Sequence, residues 1–258
     1  MFDRGVYKSI AKKQLKGRWT TPVLATLCIG VFGILCNMPG FIQNIRAIGS
    51  ASPVFVFDVG RYGDGDIQVD LENFSQAGGG VSGLFSIVMF FAAGVLTLAY
   101  SYLFIVLSHT KERQPFDTFV KGFSLWLKGI LGFLWYILWV FLWSLLFMIP
   151  GIVKAYAYSQ MFFVMAEHPS VGVRKAMQIS KVMTKGFKGD LFVMDLSFIG
   201  WAILAALTAG IGGLWLYPYM CMSRTNAYHA LKARAIRAGD LTMEDFGETT
   251  VDHSSVEE

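Results

Sequence analysis

The sequence has few charged residues. Only 16% of its 258 residues are Asp, Glu, Lys or Arg, whereas soluble domains carry about 25%. The deficit is concentrated in two stretches without any charge, 84–108 and 129–149. Each is long enough for a helix to cross a hydrocarbon core, which takes roughly 20 residues. A buried helix of a soluble protein is usually shorter than either stretch. The sequence therefore predicts an integral membrane protein.

The sequence also lacks the patterns that mark a chemical site. Its three cysteines, Cys28, Cys36 and Cys221, are odd in number and match no metal spacing, so they are predicted to be small core residues. The four histidines are scattered and form no metal motif. No His-Glu-x-x-His, phosphate loop or Gly-x-Ser-x-Gly is present. We therefore predict no catalytic, metal or cofactor-binding residues, no cofactor, and a protein that is not an enzyme.

Six apolar segments are present, and we predict that each crosses the membrane. They cover approximately 20–38, 84–108, 129–149, 151–167, 191–209 and 213–231. Lys and Arg concentrate in the short flanking stretches 1–19, 109–128, 168–190 and 232–237. Such residues mark cytoplasmic loops. Six crossings place all of these stretches on the cytoplasmic side together with both termini, whereas five would place the basic tail outside.

Three copies of one unit make up the predicted all-α fold. Lys-Gly precedes the first crossing of each unit, at residues 16, 128 and 188, and Tyr-x-Tyr lies in the second crossing. Each unit is a hairpin of two crossings preceded by an amphipathic elbow helix at the cytoplasmic face. The units cover about 5–108, 115–167 and 170–231, within one transmembrane domain at 1–238. An outer loop at 39–83, with a possible β-hairpin, is inserted in the first unit. Residues 239–258 hold seven acids and are predicted to form a disordered cytoplasmic tail.

The elbow helices suggest a lipid surface. Phe116, Phe119, Val120 and Phe123 share one helical face. The stretch 170–186 likewise has an apolar face, with basic residues on the opposite face. Such helices lie at a membrane boundary with lysines toward anionic headgroups; alternatively, they pack together as a small soluble cap. The candidate headgroup-binding residues are Lys12, Lys13, Lys16, Lys128, Arg174, Lys175, Lys181 and Lys188.

Two runs in the second half of the chain resemble a known family. They are Met-Ile-Pro-Gly-Ile-Val-Lys-Ala-Tyr-Ala-Tyr at 148–158 and Leu-Ser-Phe-Ile-Gly-Trp at 196–201, which continues to Tyr-Pro-Tyr at 217–219. They are similar to a bacterial integral membrane family called domain of unknown function 975, over about 128–231. Glu167-His168-Pro169 departs in detail from the family's usual acid before a proline. The resemblance implies a bacterial inner-membrane protein and assigns no activity.

Two opposite charges inside the apolar segments form the sharpest predicted site. Asp195 and Arg224 lie at similar depth in the fifth and sixth segments, so we predict an ion pair that Asn226 and Ser197 extend. Alternatively, each reaches the inner headgroups alone. The tyrosine pairs are candidate polar or lipid-contacting residues, although aromatic residues also gather at membrane interfaces without a specific role. These are Tyr100, Tyr102, Tyr156, Tyr158, Tyr217 and Tyr219.

The favoured function is a non-enzymatic membrane protein. Its predicted partners are lipids with anionic headgroups at the cytoplasmic face or another membrane protein, and not nucleic acid. The alternative is a small-molecule or lipid transporter with a cavity between the three hairpins.

Overall fold

The computed structural model describes residues 2–33, 81–208 and 210–247, with the backbone alone at 81–86 and 148. Regular structure in these ranges is entirely helical, as the sequence predicts. Contacts divide the chain into two compact units. One contains residues 1–28 and 91–258, and the other contains 29–90. The described residues of the second unit are the ends of two helices, at 29–33 and 81–90.

The first three helices begin the chain. Helix α1 spans Arg4–Leu15, and Oδ1 of Asp3 caps it by accepting hydrogen bonds from the amides of Gly5 and Val6. Helix α2, Thr20–Gly33, is apolar, and the end of its predicted span at 34–38 lies outside the described residues. Helix α3 is Val81–His109. Nearly all of the predicted outer loop and its hairpin also lie outside the described residues.

The predicted elbow of the second unit is short. Helix α4 spans Asp117–Lys121 and continues through a 3₁₀ turn, Gly122–Leu125, into α5 at Trp126–Leu146. Helix α6 spans Met148–Tyr158 and packs along α5 as a hairpin.

The predicted fourth segment, 151–167, is broken into two helices. Helix α6 ends at Tyr158, and α7 runs from Met161 to Glu167. The break exposes backbone groups that side chains of a later helix satisfy. Oγ of Ser180 accepts from the amide of Gln160 (3.1 Å) and donates to the carbonyl of Ala157 (2.8 Å). Irregular backbone within an apolar bundle is tolerated where the surrounding protein provides such partners.

The remaining helices complete the bundle. Helix α8 is Val173–Met183, as predicted for the elbow at 170–186. The predicted fifth segment contains two helices, α9 at Lys188–Leu196 and α10 at Ile199–Leu207. Helix α11, Gly213–Arg237, contains the predicted sixth segment and has Pro218 in its interior.

The start of the predicted disordered tail is folded. Residues 243–246 form a 3₁₀ turn in which Thr242 and Asp245 cap each other's backbone. Phe246 is fully buried and its ring lies 5.0 Å from that of His168. Leu241 and Phe246 thus supply apolar anchors at the start of an otherwise acidic stretch. Residues 248–258 lie outside the described part of the chain.

Small residues let the helices approach closely. A Cβ placed on Gly129 of α5 would lie 2.9 Å from Cα of Val95 in α3, and one on Gly94 would lie 2.7 Å from the carbonyl oxygen of Gly129. Such close backbone contact is typical of helices that pack inside membranes.

Within the described residues, three helical stretches are long and apolar enough to cross a membrane: Ile87–His109, Asp117–Leu146 and Lys188–Leu207. The side chains of α5 are largely exposed, with Phe141 at 63% and Leu145 at 73%. Exposed apolar surfaces of this size are unfavourable in water. These helices indicate a multi-pass membrane protein, whereas the full count of six crossings stays a prediction.

Candidate functional site

The basic stretches meet at one end of the bundle. Arg18 follows α1, and its Nη1 donates to the carbonyls of Leu107 (3.3 Å) and Thr110 at the end of α3. Nζ of Lys128 donates to the carbonyls of Pro169 and Val171, just before α8. The Arg18 contact places a cation at the end of α3, where helix carbonyls lack intrahelical partners and a positive charge is electrostatically favourable. Lys128 contacts carbonyls of the loop between α7 and α8.

Most of the predicted headgroup-binding side chains are exposed at this end. Lys128 and Lys188 are partly buried, and Nζ of Lys128 already donates to the carbonyls of Pro169 and Val171. Arg174 lies with its guanidinium carbon 5.0 Å from the ring centre of Trp135, and Lys175 pairs with Asp245 at 3.5 Å. The exposed members are Lys12, Lys13, Lys16, Arg174, Lys175 and Lys181.

Lys8 of α1 contacts the residues between α9 and α10. Its Nζ donates to Oγ of Ser197 and lies 3.9 Å from the ring centre of Phe198. Burial lowers the pKa of Lys8, and the neighbouring Arg4 lowers it further. Lys8 is therefore a packing residue and was not among the candidates chosen from the sequence.

Asp195 and Arg224 are brought together as an ion pair. Nε and Nη2 of Arg224 donate to the two carboxylate oxygens of Asp195 at 3.0 and 2.8 Å. The two hydrogen bonds run in parallel, which is the strongest geometry for a guanidinium and a carboxylate. Asp195 also accepts from the hydroxyl of Tyr156 at 3.1 Å. The site therefore joins α6, α9 and α11.

The residues predicted to extend this pair lie elsewhere. Nδ2 of Asn226 donates to Oε1 of Gln14 (2.9 Å) and to the carbonyl of Tyr7 (3.4 Å), both on α1. Ser197 accepts from Lys8. Asn226 thus fixes α1 against α11. The residue that extends the ion pair is Tyr156, in place of the predicted Asn226 and Ser197.

The six candidate tyrosines do not share one environment. Tyr100 exchanges a hydrogen bond with Thr26 (2.8 Å), Tyr219 packs edge-on to Phe198, and Tyr158 is buried. Tyr217 is 63% exposed, and Tyr102 packs partly buried against the core. Of these six, Tyr156 is the one that the structure joins to the ion pair.

Three histidines lie together, although they are far apart in the sequence. His109 ends α3, His168 follows α7, and His229 lies in α11. They surround Glu167, whose Oε1 is 3.5 Å from Nε2 of His109. Oε2 of Glu167 accepts from Nζ of Lys232 at 2.8 Å and from the hydroxyl of Tyr228.

Sequence reasoning missed this cluster because it searched for ligands spaced along one element. A usable signal was present, however. His109, Glu167 and His229 all lie at or near the inner ends of predicted crossings, at 108, 167 and 231. Residues at the same depth in one bundle can meet whatever their separation along the chain.

Comparison with known proteins agrees with the resemblance described above. Residues 130–235 match the model of a family described as protein of unknown function (DUF975). The resemblance predicted over about 128–231 is thereby confirmed. No curated protein matches the chain, and no solved structure matches it. The DUF975 region runs from α5 into α11 and contains the ion pair, Glu167 and His229.

Proposed function

We propose that this chain is a non-enzymatic, multi-pass protein of the bacterial inner membrane that binds anionic lipid headgroups at its cytoplasmic face. The observation behind the proposal is the group of exposed Lys and Arg side chains at one end of an otherwise apolar bundle. Each such cation near an anionic surface contributes about 1 kcal/mol of attraction.

The contacts between basic stretches support a cytoplasmic placement of both ends of the chain. Arg18 contacts the end of α3, and Arg234 of α11 contacts the carbonyl of Lys185 between α8 and α9. Stretches that are separated in sequence thus share one side of the bundle. Six crossings with both termini inside agree with this arrangement and with the bias of Lys and Arg toward the cytoplasm.

The centre of the bundle is packed, which favours a binding protein over a transporter. All residues of α7 from Met161 to Ala166 are buried, and they form the core with Tyr228 and Leu231 of α11. A permeation path along this axis would require these side chains to separate.

The experiment is to count bound lipids on the full chain in nanodiscs of mixed anionic and zwitterionic phospholipid by native mass spectrometry. Changing Lys12, Lys13 and Lys181 together to Glu should reduce the anionic lipids retained about tenfold or more, since about 1 kcal/mol is lost per site before repulsion is added. Lys175 is left unchanged because it pairs with Asp245.

The matched control changes the same three lysines to Arg, which keeps the charge. It should retain anionic lipid as the unmodified chain does. Equal retention by the Glu and Arg variants would contradict the proposal, provided that both elute as single species.

The ion pair has a structural role in this proposal. A lone charge at the centre of a membrane helix costs about 2.5–3.5 kcal/mol on insertion scales, and pairing offsets part of that cost. Asp195→Asn and Arg224→Gln should each lower the thermal midpoint in detergent, and the double variant should lose less than their sum. Additive losses would show that the two side chains do not stabilise each other.

A transporter is the second candidate, and the exposure of the ion pair favours it. The Arg224 side chain is 44% exposed despite its pairing, against 18% for Asp195. A guanidinium accessible beside Tyr156 could contact a polar solute entering between the helices. Mass spectrometry of the purified chain for a co-purifying solute that Arg224→Gln releases would favour transport; lipid alone would favour the first proposal.

A further inference from the structure

The cluster around Glu167 has the chemistry of a metal site. One ring nitrogen of His109, one of His229 and a carboxylate oxygen of Glu167 all lie within 4.8 Å of one another. The rings of the two histidines are 4.9 Å apart between centroids. Two imidazoles and one carboxylate form a common ligand set for divalent transition metals.

We propose that His109, Glu167 and His229 bind one divalent transition-metal ion such as Zn²⁺ at the cytoplasmic end of the bundle. Three protein ligands leave a coordination position for water or another ligand. Nitrogen donors outnumber oxygen donors, so the site selects against Mg²⁺ and Ca²⁺, which prefer oxygen alone.

Hydrogen bonds orient His229 for this role. Oγ of Ser108 carries a single hydrogen and donates it to the carbonyl of Ile105 at 2.7 Å. Ser108 therefore accepts from Nε2 of His229 at 2.8 Å, which leaves the lone pair on Nδ1. A ligating histidine usually donates its other nitrogen to such a partner, because that fixes the tautomer and the direction of the ring.

Glu167 is also held from one side. Its Oε2 accepts from Tyr228 and Lys232, and Lys232 reaches Nε2 of His168 at 2.7 Å. Oε1 is left facing His109. The positive charge of Lys232 repels a bound cation, but its Nζ contacts Oε2 of Glu167 and not the Oε1 that faces His109.

The ends of two helices add to the attraction for a cation. His109 is the last residue of α3 and Glu167 is the last residue of α7, and helix C-termini carry partial negative charge. Zinc–nitrogen bonds of about 2.1 Å place tetrahedral ligands about 3.4 Å apart. The ligands must therefore approach one another, and the half-exposed His109 at a helix end can move to allow this.

The test measures metal binding by the full chain, purified in detergent without a polyhistidine tag and stripped by a chelator. Titration with Co²⁺, followed by its visible absorption, should show one Co²⁺ site per chain. Added Zn²⁺ should displace the Co²⁺ from that site. His109→Ala should weaken binding at least tenfold without loss of folding, since this side chain is 54% exposed. His109→Cys should restore binding and add the near-ultraviolet band of a cobalt–thiolate bond.

His253→Ala is the control, because it removes a histidine of the sequence that is not among the proposed ligands. It should leave the titration unchanged. The proposal is overturned if the unmodified chain binds Co²⁺ no better than His109→Ala, or if His253→Ala is the variant that loses the metal.

Discussion

Two segments with the same amphipathic pattern lie in opposite surroundings. The segment formed by α4 and the turn after it exposes its apolar side: Phe116, Val120 and Phe123 are each more than a third exposed, whereas Phe119 is buried. Helix α8 buries its apolar side within the protein, with Ala176, Ser180 and Met183 fully covered. The exposed apolar side of the first segment is the arrangement that a lipid-facing elbow needs, and its contact with lipid stays a prediction. The second segment packs on α5, α6, α7 and α11, which differs both from a lipid-facing elbow and from a cap of elbow helices packed on one another.

The polar atoms within the apolar face distinguish the two segments. In α8, the hydroxyl of Ser180 donates to the carbonyl of Ala157 at 2.8 Å, at the break between α6 and α7. The hydroxyl of Thr184, just after the helix, lies 3.2 Å from the same oxygen and donates to the nearer carbonyl of Ser180 at 2.8 Å. A lipid surface offers such hydroxyls nothing comparable, whereas an interrupted helix needs them. The same amphipathic pattern therefore occurs on a face that protein covers and on a face that it leaves exposed, and the hydroxyls that support the break belong to the covered face.

The largest expected difference between the segments comes from removing an apolar side chain. Met177→Ala in α8 should lower the free energy of unfolding by about 2–5 kcal/mol, since it creates a cavity in the core. Phe123→Ala in the α4 segment should cost much less, because that side chain is 37% exposed. Denaturation of both variants in the same detergent measures the difference; equal losses would mean that protein covers both faces.

A hydroxyl deletion should produce a smaller difference. Ser180→Ala leaves the amide of Gln160 without this acceptor and the carbonyl of Ala157 without this donor, so about 1–3 kcal/mol should be lost. Ser124→Ala, at an exposed position of the other segment, is the control and should change little. Hydrogen exchange at Gln160 should accelerate in the first variant only. Unchanged protection there would show that Ser180 does not support the break.

The smallest difference is a dependence on pH. Hydrogen bonding to the amide of Thr242 holds the pKa of Asp245 below its usual range, and the neighbouring Lys175 of α8 lowers it further. A depressed carboxyl pKa stabilises the folded state above the unfolded-state value of about 3.9, and this is lost as the pH falls through the folded-state pKa.

Asp245→Asn should therefore cost about 0.5 kcal/mol or less at neutral pH, because Asp245 is 39% exposed, and progressively less as the pH falls below about 3.9. On the α4 segment, Asp117→Asn should have no measurable effect, since Asp117 and its partner Lys121 are both more than 60% exposed. Thermal midpoints across pH measure both. A loss for Asp245→Asn that persists at pH 2 would point to packing instead of charge.

Features that repeat along the chain could be predicted from the sequence, whereas those that depend on a distant partner could not. Uncharged runs identified α3 and α5, and matched depth brought Asp195 and Arg224 together. The break at Ser159 has no Gly or Pro to mark it, and its partner Ser180 lies on another helix. Phe246 was missed because an acidic composition outweighed a single aromatic anchor, and the histidine cluster was missed because its members come from three helices.

The small central helix α7 has a consequence for how the chain is assembled during synthesis. Its seven residues span about 10 Å, a third of a bilayer core, so it cannot be inserted as an independent crossing. Its partners come later: Ser180 holds its start, Phe163 stacks on Tyr228, and Glu167 pairs with Lys232. A chain still attached to the ribosome before α11 emerges must hold the Glu167 carboxylate without those partners. The core around α7 is therefore completed only after α11 has been translated.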